Sequence, residues 1–215
     1  MKEKWHQWAW SGLLLFLLAG IIFPAVGIFA LACMLAPVIT AFFSGRTWCG
    51  YFCPRGGFND QILSKVSLKR GIPRIIKERW FKNAFLVLLM GAFIVQISYA
   101  WGDIKAVGHV FVRMVLLTTI LGILLGISYR HRTWCMICPM GTMAHYIANI
   151  RKIRARIKHV TFIKDRCINC KLCSRDCPMG IDVSAYRKGG RVEDGACLKC
   201  RVCVENCPKQ SLYIA

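Results

Sequence analysis

Eight cysteines near the C-terminus fall into two runs with identical spacing. CINCKLCSRDCP and CLKCRVCVENCP both follow C-x2-C-x2-C-x3-C-P. Two-residue gaps let three thiolates of one loop reach a single inorganic cluster, and the proline after the fourth cysteine stops the following turn. CxxC pairs also bind zinc. Tandem four-cysteine runs that each end in proline nevertheless favour iron–sulfur chemistry over zinc.

This spacing is that of bacterial two-cluster ferredoxins, in which the fourth cysteine of each run ligates the cluster of the other run. We therefore expect two [4Fe–4S] clusters. The ligands expected for cluster 1 are Cys167, Cys170, Cys173 and Cys207. The ligands expected for cluster 2 are Cys197, Cys200, Cys203 and Cys177.

A second cysteine pattern occurs twice, each time directly after an apolar run. RTWCGYFCPRGG contains Cys49 and Cys53, and HRTWCMICPMGT contains Cys135 and Cys138. An internal repeat would bring these four thiols to one level. A third iron–sulfur cluster, copper(I), a redox-active thiol pair and buried structural cysteines all remain open. The second copy is one residue shorter, which leaves equivalent ligand geometry open as well.

The composition is that of a membrane protein with charged loops. Hydrophobic residues make up 56% of the 215-residue chain, mean hydropathy is +0.45, and the formal charge is +20. Residues 8–43 carry no charge, which is too long for one untilted span and favours a helical hairpin. This length also disfavours a cleaved signal peptide. We expect four transmembrane helices, at 8–23, 25–43, 81–101 and 109–129.

Basic residues predict the orientation. Residues 44–82 hold nine Lys or Arg, and residues 129–160 hold seven, whereas the loop between the third and fourth spans holds one lysine. The positive-inside rule places both termini and both Cys-Pro motifs on the cytoplasmic side of the cell membrane. At the membrane edge this basicity favours topology and anionic lipid over nucleic acid, which we do not expect as a partner.

The fold expected is an all-α four-helix transmembrane domain followed by a small α+β two-cluster ferredoxin-type domain. Residues 1–150 form the first domain, 151–160 a basic connector, and 161–215 the second domain. Cluster-binding thiolates also favour a reducing compartment.

Together these motifs resemble the membrane polyferredoxins, which include quinol-oxidising subunits of nitrate respiration and assembly proteins of nitrous-oxide reductase and cytochrome oxidase. The resemblance implies single-electron transfer between the quinone pool or a membrane partner and a soluble or periplasmic redox enzyme. The alternative is an assembly factor that supplies electrons for copper or thiol reduction. A structural anchor for a ferredoxin-dependent enzyme is a weaker rival. Whether the chain is itself an enzyme, such as a quinol dehydrogenase component, stays open, and no catalytic residue is assigned.

A quinone head group would need a polar residue at the edge of the membrane. His109 and Arg113 share a helix face near Asp103 on the outer side, where arginine also snorkels. Cys33 lies inside the second span and is interpreted as packing. The remaining histidines are expected to be interfacial or solvated. They are His6, His131, His145 and His159.

Overall fold

The structure, a computed structural model, describes residues 4–68 and 70–215, with side chains from residue 8 onward in these ranges, and it is mostly helical. The expectation for His6 therefore lies outside the described side chains. In chain order, the helices and strands are α1 (Lys4–Ile22), a 3-10 helix (Pro24–Phe29), α2 (Ala30–Ser44), α3 (Thr47–Tyr51), α4 (Pro54–Phe58), a π-helical turn (Asn59–Leu63), α5 (Ser64–Val66), α6 (Arg74–Lys77), α7 (Arg79–Tyr99), α8 (Ile104–Ser128), α9 (Trp134–Ile137), α10 (Pro139–Asn149), α11 (Arg151–Arg156), β1 (Val160–Phe162), a 3-10 helix (Lys164–Arg166), α12 (Leu172–Arg175), a 3-10 helix (Val183–Arg187), α13 (Val202–Glu205) and β2 (Leu212–Ile214).

Three helical segments of the described chain are long and apolar enough to cross a membrane. They are Pro24–Ser44, Arg79–Tyr99 and Ile104–Ser128, and Trp8–Ile22 is a shorter apolar helix. The expected count of four spans stays a prediction.

The helix bounds differ from those expected at the third and fourth spans. Helix α7 begins at Arg79 and ends at Tyr99, and α8 begins at Ile104 rather than at 109. The early start of α8 has a local cause, because Asp103 is its N-cap and its Oδ1 accepts a hydrogen bond from the Lys105 amide at 2.9 Å. Aspartate at this position satisfies an amide that would otherwise lack a partner.

The two halves of the helical part pack on each other crosswise. Helix α2 precedes the first Cys-Pro motif and packs against α10, which follows the second motif. Helix α8 precedes the second motif and packs against the π-helical turn that follows the first. The helix that precedes each motif, α2 or α8, is thus supported by the segment that follows the other motif.

The C-terminal part combines a small sheet with short helices. Strands β1 and β2 pair antiparallel, with Val160 opposite Ile214 and Phe162 opposite Leu212. Helices α12 and α13 each follow one residue in the left-handed conformation, Lys171 in the first run and Arg201 in the second. The two cysteine runs therefore share one local fold.

One hydrophobic core joins the C-terminal part to the second Cys-Pro motif. Trp134 and Ile137 of α9 are buried in the same cluster as Met179, Val192 and Leu198. Burial of Trp134 (1% exposed) and Leu198 (1% exposed) removes large apolar surfaces from water. The cysteine runs are therefore packed onto the Cys-Pro motifs and do not hang from a free linker.

Candidate iron–sulfur sites

The four cysteines expected at cluster 1 line a common pocket. Its walls include Cys167, Cys170 and Cys173 from the first run together with Cys207 from the second. Burial opposes ionisation of Cys207, yet hydrogen bonds from Ser211 and from backbone amides lower the pKa of its thiol. A lowered thiol pKa favours the thiolate that iron requires.

The four cysteines expected at cluster 2 are close enough to affect one another's ionisation. Burial, together with nearby Cys200 and Cys177, raises the pKa of the Cys197 thiol to about 12. Cys203 responds in the same way to burial and then to Cys197, Cys200 and Cys177. Cys177 therefore lies among the thiols of the other run. Arg130 Nη1 holds it in place by donating to its carbonyl oxygen at 2.6 Å.

The two sites differ in their access to solvent. Cys170 is exposed, whereas Cys177 is buried and its pKa is raised by burial. The cluster 1 site opens to the surface, and the cluster 2 site lies against the rest of the protein.

The described residues contain no group of three or more His, Cys, Asp or Glu side chains placed to hold one metal ion.

The two Cys-Pro motifs meet at one cavity of about 300 Å³. Its walls include all four membrane-edge cysteines, Cys49, Cys53, Cys135 and Cys138. Burial raises the pKa of the Cys53 thiol to about 12, and it also raises the pKa of the Cys49 thiol. Without a metal these buried thiols hold their protons at neutral pH, and metal binding would release them.

The local sequence explains how the second cysteine of each motif is presented. Cys53 and Cys138 are the N-caps of α4 and α10, and Pro54 and Pro139 begin those helices. Proline is tolerated there because the first amides of a helix have no intrahelical acceptor. Helices α3 and α9 both end two residues after the first cysteine, and the extra residue of the first copy is Phe52, which lies between α3 and Cys53, whereas Cys138 follows α9 directly.

The arginine of each motif reaches across to the other motif. Arg46 Nη2 donates to the Cys135 carbonyl at 2.6 Å, and Arg132 Nη1 donates to the Cys49 carbonyl at 2.7 Å. Both arginines are buried, at 2% and 1% exposure. We call this pair of contacts the reciprocal arginine contacts. They give the carbonyl groups of the two first cysteines equivalent partners despite the difference in motif length.

The glycine of each Cys-Pro-x-Gly phrase makes room for that arginine. A Cβ on Gly56 would lie 2.7 Å from Arg132 Nη1, and a Cβ on Gly141 would lie 2.7 Å from Arg46 Nη2. Each copy of the sequence Arg-Thr-Trp-Cys…Cys-Pro-x-Gly therefore supplies an arginine and a glycine that contact the other copy. The arginine of one copy fits the glycine of the other.

Arg132 also organises the polar groups around Cys135. Its Nε and Nη2 donate to the two carboxylate oxygens of Asp60, both at 2.7 Å. Burial disfavours its charge, but Asp60 holds the pKa of Arg132 well above its usual value. The Cys135 sulfur lies 3.8 Å from Arg132 Nη1 and 3.9 Å from the Asn59 amide nitrogen. Both groups are hydrogen-bond donors, so the Cys135 sulfur is surrounded by polar hydrogens on this side.

The cluster 2 run packs directly on the first Cys-Pro motif. Tyr51 Oη donates to the Lys199 carbonyl at 2.8 Å, and Lys199 Nζ donates to the Ser44 carbonyl at 2.8 Å. A Cβ on Gly50 would lie 2.5 Å from the Leu198 oxygen. A second cavity of about 200 Å³ is lined by both Arg132 and Cys200. Arg132 therefore lies between the membrane-edge thiols and the cluster 2 site.

Other residues expected to carry chemistry have different surroundings. His109 and Arg113 are both exposed on α8, away from the thiol cavity. Cys33 lines the same cavity as the four thiols, which corrects its interpretation as packing alone. The prediction that His159 is interfacial or solvated is wrong. It is buried, with its ring nitrogens 3.0 Å from the Val192 carbonyl and 2.7 Å from the Arg154 carbonyl.

Comparison with known proteins assigns the chemistry of both parts. Residues 26–73 and 112–158 match the family described as a 4Fe-4S binding domain, and residues 159–208 match that described as a 4Fe-4S dicluster domain. The chain is therefore an iron–sulfur protein of ferredoxin type. One family matching both halves agrees with the internal repeat.

Among curated proteins the chain is similar to an uncharacterized protein of Methanocaldococcus jannaschii. The two are 24% identical over 156 residues, which is 68% of this chain and 57% of that relative. The chain thus spans little more than half the length of the relative it matches. No solved structure matches the chain.

Sequence reasoning missed the arginines and glycines around the membrane-edge thiols. Their signal was present, because Arg46 and Arg132 stand three residues before the first cysteine of each copy. Nothing in the sequence around Asp60 and Asn59 indicated that these residues belong to the site. Only the fold brings them to Arg132 and Cys135.

Proposed function

We propose that the chain is a membrane-anchored iron–sulfur protein that passes single electrons between a membrane donor or acceptor and a redox enzyme. Two [4Fe–4S] clusters would be held by the crossed ligand sets of the C-terminal runs, and a third by Cys49, Cys53, Cys135 and Cys138. Each bound cluster supplies one-electron redox chemistry. In this arrangement cluster 2 would lie between the membrane edge and cluster 1.

The observation that carries this proposal is the meeting of four thiols from two repeated motifs in one cavity beside cluster 2. The charges there suit a cluster. Arg46 and Arg55 line the cavity, and their buried Nε atoms have no hydrogen-bond partner within the described chain. An oxidised [4Fe–4S] cluster with four thiolates carries a charge of about −2. Two guanidinium groups would offset that charge in a buried site.

Membrane anchoring is supported by the three candidate spans and by where the basic residues lie. We propose a multi-pass cell-membrane protein with both termini and the C-terminal domain on the cytoplasmic side. The basic residues next to the apolar helices would lie against anionic lipid headgroups. Redox subunits, either soluble or periplasmic, would be the protein partners.

A quinone is the membrane donor or acceptor that suits the thiol cavity. The walls on one side are apolar side chains of α1, α2 and α8, including Leu13, Phe16 and Val115. The opposite side holds the thiols and Arg55, whose Nη2 donates to Thr118 Oγ1 at 2.9 Å. An apolar pocket with a few convergent polar groups is typical of a small-molecule site. It is a better candidate than the exposed His109 and Arg113.

A second function, in metal assembly, is favoured by the sulfur content of the same cavity. Cys33, Met34 and Met140 line it together with the four motif cysteines. Thiolate and thioether ligands select copper(I) among biological metals. In that case the C-terminal clusters would supply electrons for copper or thiol reduction in another enzyme.

Metal analysis of anaerobically purified protein tests these proposals. We expect roughly 12 iron atoms per chain if the third cluster is present and roughly 8 if it is absent. Cys49→Ser with Cys135→Ser should remove about 4 irons and leave the EPR signals of the other two clusters unchanged. The matched control is Cys33→Ser, which alters a cysteine of the same cavity outside the motifs.

Two results would contradict the third cluster. Iron content unchanged by the double substitution would show that the motif thiols hold no iron. Bound copper that is lost in the double variant, with roughly 8 irons retained, would favour the assembly function instead.

A further inference from the structure

The two cysteine runs present two equivalent faces, and only one of them is covered by the rest of the protein. Asn169 in the first run and Lys199 in the second both have a left-handed backbone, at φ 55°. Lys199 is buried. Its Nζ donates a hydrogen bond to the Ser44 carbonyl, and its own carbonyl accepts one from Tyr51 Oη. Asn169 stands exposed beside cluster 1. The surface that the membrane part covers at cluster 2 therefore has an open counterpart at cluster 1.

The open counterpart has the composition of a docking surface. Ile168, at its centre, is 61% exposed, and the neighbouring ligand Cys170 is also exposed. Three basic side chains, Lys171, Arg187 and Lys209, line the cluster 1 pocket, and no acidic residue of the described chain lines it. We call Ile168, Lys171, Arg187 and Lys209 the cluster 1 face. An apolar centre with a charged rim is common at protein interfaces.

We propose that the cluster 1 face is the docking surface for an acidic one-electron protein of ferredoxin or flavodoxin character. The occupant follows from charge complementarity, because like charges would repel a basic partner and opposite charges raise the association rate. One electron passes between the bound partner and the cluster held by Cys167, Cys170, Cys173 and Cys207, and no covalent bond forms or breaks. This inference rests on the proposed electron-transfer function and names the soluble partner's chemistry.

The test uses the full protein with its clusters in nanodiscs of neutral lipid, with an acidic plant-type [2Fe–2S] ferredoxin as probe. Binding is measured by titration, and electron transfer from the reduced probe by stopped flow. We expect Lys171→Glu to weaken binding about threefold at low salt and Lys171→Glu with Lys209→Glu to weaken it about tenfold, with little difference left at 0.5 M salt. Reduction by dithionite should stay the same in the original and variant proteins.

A matched control comes from the repeat itself. Arg201 occupies the position of Lys171 in the second run, is exposed, and shares its left-handed backbone, so Arg201→Glu carries the same charge change and the same backbone strain. Arg201→Glu should leave probe binding within about twofold of the original. An effect of Arg201→Glu equal to that of Lys171→Glu, or binding that does not depend on salt, would overturn the proposed surface. Loss of the dependence on Lys171 and Lys209 in anionic-lipid nanodiscs would overturn it too, since the face would then lie on lipid. Protein that lacks iron would instead contradict the proposed function.

Discussion

The reciprocal arginine contacts depend on space as much as on charge. Arg46 reaches the Cys135 carbonyl only because Gly141 lacks a side chain at that point. A methyl group there would meet the guanidinium at 2.7 Å and the Cys135 oxygen at 3.0 Å. Arg46 is 2% exposed, so displacing its guanidinium would break a hydrogen bond in a buried site.

We therefore expect Gly141→Ala to lower the free energy of unfolding by about 1–3 kcal/mol, as overpacking does in other buried sites. Thermal unfolding in detergent, followed by circular dichroism, measures the change. Gly91→Ala is the matched control, because nothing lies within 4 Å of the Cβ position there. It should be neutral or stabilising, by up to about 1 kcal/mol. Equal melting temperatures for the two variants would contradict the role given to Gly141.

At this scale the sequence predicted which cysteines come together but not what surrounds them. The ferredoxin spacing paired Cys207 with the first run, and the structure brings these residues to one pocket. Spacing within a run reports only local geometry, however. The contact of Arg132 with Asp60 joins residues 72 positions apart, and only the packing of both halves creates it.

Helix α10 links the second Cys-Pro motif to the C-terminal domain, and it contains a histidine whose charge the fold disfavours. Burial lowers the pKa of His145, Arg46 and Lys82 lower it further, and Asp194 opposes them. Its Nδ1 is buried with no partner in the described part of the chain, and its Nε2 lies 3.3 Å from the Asn149 amide. The neutral ring is therefore the form that the folded protein prefers.

This preference predicts a loss of stability in mild acid. Because the folded pKa is lowered, the unfolded chain binds more protons below pH about 6.5, so stability falls as the pH drops through that value. Melting temperatures at pH 7.5, 6.0 and 5.0 should fall less steeply for His145→Gln than for the original protein. The comparison between the two proteins cancels the contribution of the other histidines. Parallel curves would show that His145 does not titrate in this way.

At the scale of elements, the apolar helices could be predicted from the sequence, whereas the helix caps could be predicted only in part. The uncharged stretch 8–43 correctly indicated helices on either side of Pro24, since proline cannot continue a helix without losing a hydrogen bond. The start of α8 was misplaced because Asp103 was considered as a polar functional residue instead of an N-cap. The crossing of α2 onto α10 is a long-range contact that hydropathy does not encode.

The whole molecule carries a formal charge of +20, and its distribution predicts a topology. Reporter fusions at Asp60, Lys105 and Ala215 should report inside, outside and inside, because the basic segments stay in the cytoplasm. An alkaline phosphatase and a fluorescent protein, active on opposite sides, provide the paired readout. A fusion at Ala215 that is active only outside the cytoplasm would contradict the orientation and place the cysteine runs in an oxidising compartment.

The reciprocal arginine contacts also set an order of events during synthesis. Arg46 leaves the ribosome 89 residues before Cys135, whose carbonyl it needs. At about 5–20 residues per second the interval is roughly 4 to 18 seconds. Throughout that time Arg46 has no Cys135 carbonyl to bind. Any centre that uses the thiols of both motifs could therefore be completed only after the second motif has been made, however early the first pair of thiols is available.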